Sequence, residues 1–115
     1  MSKNYSIEKL IQHPKWKWNE GMLCIIKNDT HTRYSDLKPD QVVISVSLSD
    51  IATHGCLLNL LTKEVGPVTV CFDSNISPSW IIRYWKGESF KIFYSTSLGD
   101  GVCQALADFW NLEEK

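Results

Sequence analysis

Asp50 and His54 stand four positions apart in the segment SDIATHGCLLNLLTKEVGP, a spacing that places a carboxylate and an imidazole on one side of an α-helix. A carboxylate so placed orients and charges a histidine, and Thr53 and Cys56 lie near enough in sequence to add a hydroxyl and a thiol. The same residues have a plainer reading. Asp50 is a natural cap for the helix that follows, and a histidine on a helix surface is commonplace. Cys56 and His54 cannot act as nucleophile and base on the helix itself, because residues two apart point about 200° away from each other. A thiol–imidazole pair would have to be assembled by the fold, with His13 or His31 as the base.

Tryptophan is the sharper signal. Five of them, Trp16, Trp18, Trp80, Trp85 and Trp110, are more indole than a small core hides easily, and an exposed tryptophan is a strong anchor for a partner or a stacking ligand. Alternation along WIIRYWK sends Trp80, Ile82 and Tyr84 to one side and Ile81, Arg83 and Trp85 to the other. An arginine beside an aromatic ring grips a protein surface, a nucleobase or an anionic small molecule. Alternatively, Arg83 simply lies over Trp85 on a solvated face. The candidate binding residues are therefore Arg83, Trp85, Trp80, Trp16 and Trp18, with Asp50 and His54 as the candidates of the helix.

No catalytic set is assigned, and no metal or cofactor is expected. The four cysteines, Cys24, Cys56, Cys71 and Cys103, are widely scattered, with no C-x-x-C and no histidine at zinc spacing. They read as buried free thiols, although sequence leaves open whether any of them meet. Gly99, Asp100 and Gly101 precede helical periodicity, but GDG lacks the length and the lysine of a phosphate-binding loop.

These residues must be held by a chain of 115 residues, the size of one domain, so a single domain over 1–115 is expected. Lysine and arginine number 12 against 13 acidic residues, which leaves no broad positive field of the kind that dominates nucleic-acid binding. No apolar run approaches the roughly 18 residues of a membrane span. The start, MSKNYSIEKL, lacks the apolar centre of a signal peptide. A cytoplasmic protein is expected, without a membrane partner.

The spacing of Ile7, Leu10 and Ile11 after Ser6 predicts a short N-terminal helix that Pro14 ends. Met22 to Ile26 and HTRYS read as a hairpin across a turn at Asn28 and Asp29, and QVVISVS supplies a third strand or an extended entry into the next helix. Residues 50–65 predict an amphipathic helix stopped by Gly66 and Pro67, with Ile51, Leu58, Leu61 and Val65 on its apolar side and Leu57 and Leu60 broadening it. Gly55 inside that helix costs about 1 kcal/mol against alanine, which predicts close packing there. VTVCF is a strand, and Trp80–Trp85 with Ser89–Ser95 form the clearest hairpin. Residues 97–112 close the chain as a helix with Leu98, Val102, Ala105, Leu106 and Phe109 on one stripe. The expected fold is α+β: one two-layer domain whose antiparallel or mixed sheet of about five strands is covered by the two main helices.

The segments HPKWKWNEGM and SDIATHGCLLNLL, with the closing helix, resemble an uncharacterised family of small phage and prophage proteins. Its pattern is W-x-W-x-x-G-M, then D-x-A-T-x-G-C-L-L, then an alanine-rich helix. Here Trp16, Trp18, Gly21 and Met22 match the first, and Asp50, Ala52, Thr53, Gly55, Cys56, Leu57 and Leu58 the second. Ile51 departs from the proline usual in those proteins, and Phe109 and Trp110 replace small residues. The resemblance implies an accessory protein of a host bacterial cytoplasm that binds a host protein, including as an inhibitor of host defence. A small anionic, nucleotide-like ligand, a homodimer, and an enzyme built on Asp50 and His54 are the alternatives.

Overall fold

Capping chemistry fixes where the helices begin. In the computed structural model, which describes residues 5–28 and 30–112, Ser6 opens α1 (Ile7–Ile11), Asp50 opens α2 (Ile51–Val65) and Ser97 opens α3 (Leu98–Phe109). Each cap accepts from a backbone N–H three positions on, those of Lys9, Thr53 and Asp100. Gly66, at φ +89°, ends α2 in a conformation that glycine adopts without strain. Asn111, at φ +60°, turns the chain out of α3 while the Leu112 N–H bonds back to the Ala107 carbonyl at 2.7 Å.

The remaining elements are two antiparallel sheets. In the first, β1 (Leu23–Ile26) lies between β2 (Thr30–Arg33) and β3 (Val43–Val46), in the order β2-β1-β3. Cys24 faces Thr32 on one side and Val46 on the other, and an irregularity between Ile25 and Ile26 shifts the register toward β3. The second is the meander β4 (Val68–Phe72), β5 (Trp80–Lys86) and β6 (Ser89–Ser95). Gly87 at φ +62° begins the two-residue turn that sets Lys86 opposite Ser89.

The α+β class and all three helices agree with the sequence. The strands do not form one sheet of about five. Between Ile26 and Val46 the chain returns twice on itself, so β1 takes both partners from its own neighbourhood and leaves β4, β5 and β6 to pair only with one another. α3 packs across β5 and β6, α2 lies against β4, β5 and α3, and α1 against β3 and α3. The Thr53 hydroxyl accepts the Leu23 N–H at 2.9 Å and ties the first sheet to α2.

One buried cluster draws on every layer: Leu10, Val46, Leu57, Leu61, Ile82 and Leu106 all belong to it. Helix α3 approaches so closely that a Cβ on Gly101 would lie 2.4 Å from Ile82 Cδ1, and one on Gly99 would lie 2.2 Å from the Leu48 carbonyl oxygen. Around this core the Tyr84 hydroxyl donates to Asp108 at 3.0 Å and the Tyr5 hydroxyl to Asp100. Burial pushes the Tyr5 phenol well above its ordinary range.

Two sequence expectations for α2 are corrected. Its buried side is Thr53, Leu57, Leu60 and Leu61, and Ile51 is 84% exposed, because a threonine whose hydroxyl is doubly bonded displaces the stripe away from Ile51. Gly55 is exposed, and nothing lies within 4 Å of the position a Cβ would take. No helix among the described residues is long and apolar enough to cross a membrane.

Candidate functional site

Asp50 and His54 lie one turn apart, yet each side chain is committed elsewhere. Asp50 Oδ2 accepts from the Thr53 N–H and hydroxyl, both at 3.0 Å, and from Arg33 Nη1 at 2.6 Å. The same Arg33 nitrogen also donates to the Gly21 carbonyl at 3.0 Å. The hydrogen bond from Arg33 is the main reason that the Asp50 carboxyl is held below the usual carboxylate range, against an opposing contribution from burial. His54 Nε2 lies 2.5 Å from the Leu48 carbonyl oxygen; a carbonyl only accepts, so that nitrogen carries the proton. Asp50 thus joins α2 to β2, while His54 joins it to the loop before the helix and lies against Gly99 of α3. The two side chains therefore spend their polar atoms on different neighbours rather than on each other.

The other groups with reactive chemistry are equally dispersed. His13 stacks flat on Trp110 at 4.3 Å, and His31 stands exposed on β2 opposite Ile25. Cys56 donates to Asn19 Oδ1 at 3.3 Å, and burial raises its thiol. None of the four cysteines forms a disulfide; Cys24 and Cys103 are buried, Cys56 and Cys71 half-buried. Among the described residues, no three His, Cys, Asp or Glu side chains gather where they could hold a metal ion.

The tryptophans divide sharply. Trp16 and Trp110 are buried, contrary to the expectation that Trp16 serves as a binding residue. Both fit because the segment after α1 folds back over α3: Trp110 Nε1 donates to Glu64 Oε1 at 2.7 Å beneath His13, and Trp16 sits edge-on to Trp18 at 5.5 Å. Trp18 is half-buried and stacked on Tyr34 at 5.4 Å. Trp80 is half-buried and tilted against Phe72 at 4.9 Å. Trp85 alone of the five is exposed, at 61%.

Trp85 belongs to a whole uncovered face. The register sets Thr69 against Arg83, Cys71 against Ile81, Ile81 against Tyr94, Arg83 against Ile92 and Trp85 against Phe90, and paired residues project to the same side of an antiparallel sheet. The opposite side carries Ile82 and Tyr84, buried under α3. On the open side Phe90, Ile92 and Tyr94 are 42–49% exposed, and the Trp85 and Phe90 rings meet at 4.8 Å. Arg83 sits in the middle. Its Nη2 donates to Cys71 Sγ at 3.4 Å, and its buried Nε has no hydrogen-bond partner among the described residues.

Alternation in the sequence finds Arg83 and Trp85 but does not by itself show that Phe90, Ile92 and Tyr94 share their face. The signal is present nonetheless: a two-residue turn at Gly87 and Glu88 forces Lys86 opposite Ser89, and counting back pairs Trp85 with Phe90. Beyond the end of this row, Ile76, Pro78, Ile92, Tyr94, Thr96 and Gln104 line a groove of about 810 Å³ beside β6.

What these features define is an α+β domain with one covered and one bare face on its second sheet. No protein-family model matches the chain, and neither a curated protein nor a solved structure matches it.

Proposed function

We infer that this is a non-enzymatic binding protein that holds a host protein against the outer face of β4-β5-β6. The observation that carries the reading is the contiguous bare patch of Trp85, Phe90, Ile92 and Tyr94, with half-buried Ile81, around a partly satisfied arginine. A chain gains little in stability by keeping such rings in water, and contiguous apolar surface of this kind marks interaction sites. Aromatic residues with arginine are also the types that carry most binding energy at interfaces. The partner that fits presents apolar side chains to the rings and a carboxylate to Arg83, whose guanidinium donates within the chain to a weak sulfur acceptor.

The binding reading is also favoured over an Asp50/His54 enzyme by the engagements of those two residues, which are structural on both sides. The resemblance to small phage and prophage proteins supports a partner from a bacterial host, where occupying a defence protein is a fitting role.

Affinity capture from host lysate tests the reading, with wild type compared against Trp85→Ala, Arg83→Gln and the distant surface control Ile51→Ala. A central aromatic anchor is worth about 2 kcal/mol or more, so Trp85→Ala weakens the captured complex by roughly 30-fold or more, and Ile51→Ala leaves it intact. Capture of the same protein by both face variants at wild-type strength refutes the assignment. Retention of a small anion in place of a protein, seen on denaturing the purified chain, transfers the site to the ligand reading.

A further inference from the structure

The strand that carries the last row of the bare face also has an open edge. β6 pairs with β5 on one side, and among the described residues no strand pairs with the other. Lys86 and Ser89 close a two-residue turn, and such a closing pair is hydrogen-bonded. Alternation from there turns the N–H and C=O groups of Lys91 and Phe93 toward β5, and those of Phe90, Ile92 and Tyr94 outward.

Natural edge strands are blunted by proline, bulges, shortness, charged side chains or a covering element. β6 has one of these over its seven residues, the charge of Lys91 on the side it shares with Tyr84, and its register with β5 is unbroken. The other edges are managed: β2 is four residues long and mostly polar, β3 lies against α1, and β4 follows Pro67 and touches α2. A long, regular, apolar edge that a chain leaves bare is a template for another strand.

We propose that β6 pairs with the β6 of a second copy of this chain, antiparallel about Ile92, so that two three-stranded sheets join into one of six strands. This register overlaps the whole of Ser89–Ser95 with itself. It sets Ile92 opposite Ile92, Phe90 opposite Tyr94 and Lys91 opposite Phe93 of the second copy, so aliphatic and aromatic pairs form on the bare face. Centring the pair on Lys91 would oppose two ammonium groups directly, and the Ile92 register avoids that. Three outward-facing residues on each strand exchange both of their backbone bonds across the two-fold axis. The second copy's Phe90 and its turn then enter the groove of about 810 Å³ beside Ile76, Pro78 and Tyr94. Closed two-fold pairing also removes the edge from both chains at once. The dimer leaves the Trp85 and Arg83 part of the outer face open and doubles it, so this inference stands apart from the identity of any host partner.

Sizing with light scattering, carried to millimolar protein, gives a mass twice 13.2 kDa for the wild type, and Ile92→Lys restores the monomer with unchanged far-ultraviolet circular dichroism. Hydrogen-bonded antiparallel neighbours lie about 5.5 Å apart between Cα atoms, within disulfide reach. Under mild oxidation Ile92→Cys therefore cross-links to a dimer. Phe90→Cys or Tyr94→Cys alone behaves like the wild type with its native thiols, and the double variant cross-links. A wild type that stays monomeric throughout, an Ile92→Lys variant that stays dimeric, or cross-linking through Phe90→Cys alone overturns the proposal. So does a monomer that adds an extended peptide of another protein at β6. Trp85→Ala keeps the dimer while losing the host partner, which separates failure of this proposal from failure of the face assignment.

Discussion

Ile82 and Trp85 stand three residues apart on β5 and project to opposite sides of one sheet, which makes the pair a direct probe of which side the fold depends on. Ile82 is fully buried beneath α3, and truncating such a residue to alanine removes its transfer energy and leaves a cavity, about 3 kcal/mol in all. Trp85 is 61% exposed, so most of its ring already lies in water, and truncation removes chiefly its tilted packing against the Phe90 ring, worth about 1 kcal/mol. For a domain of this size about 1 kcal/mol lowers the melting temperature by roughly 4 °C. Ile82→Ala is therefore expected to melt about 12 °C below the wild type, and Trp85→Ala about 4 °C below it. Thermal melts followed by circular dichroism, supported by urea midpoints at constant slope, measure both. Trp85→Ala as costly as Ile82→Ala would show that the outer face is structural in the isolated chain, and the reasoning that reserves it for a partner would fail.

Three further outcomes rest on particular side chains and backbone positions. Gly55→Ala is expected to stabilise the protein by about 0.5–1 kcal/mol, since the position is helical and a methyl group there meets nothing within 4 Å; a lowered urea midpoint would contradict it. Gly99→Ala drives a methyl group into the Leu48 carbonyl oxygen and the His54 ring, and is expected to cost at least about 1–3 kcal/mol by urea unfolding. The Asp50 carboxyl is held below the carboxylate range chiefly by Arg33, so the unfolded chain takes up that proton more readily than the folded one. Its stabilising contribution is then complete above the unfolded carboxyl value near about 3.9 and drains away as pH falls through the folded value. Urea midpoints taken from about pH 6 downward should fall less steeply for Asp50→Asn, which keeps a helix cap, than for the wild type.

The fold is legible in sequence wherever a local rule decides the matter. Ser6, Asp50 and Ser97 cap their helices by chemistry confined to four residues, and the β5–β6 alternation reports a hairpin whose partners are adjacent in the chain. Legibility ends where distant parts of the chain compete. Counting apolar type assigns Ile51 to the core, whereas Thr53 takes the buried position by committing its hydroxyl to Asp50 and to the Leu23 N–H thirty residues away. The division into two sheets depends on β1 recruiting β3 rather than a strand of the later meander, and no local period records that choice. For the site, Arg83 and Trp85 are visible through alternation alone. Trp16 is not, because its burial depends on how the segment after α1 folds back over the rest of the chain.

The central claim is that the outer face of β4-β5-β6 meets a protein partner in the cell. A photo-activated cross-linking amino acid at position 85, compared with the same group at exposed Ser35 just after β2, tests it most directly. The expected result is one discrete adduct from position 85, lost when Arg83→Gln is added, and none from position 35. Equal, diffuse labelling from both positions would contradict the account.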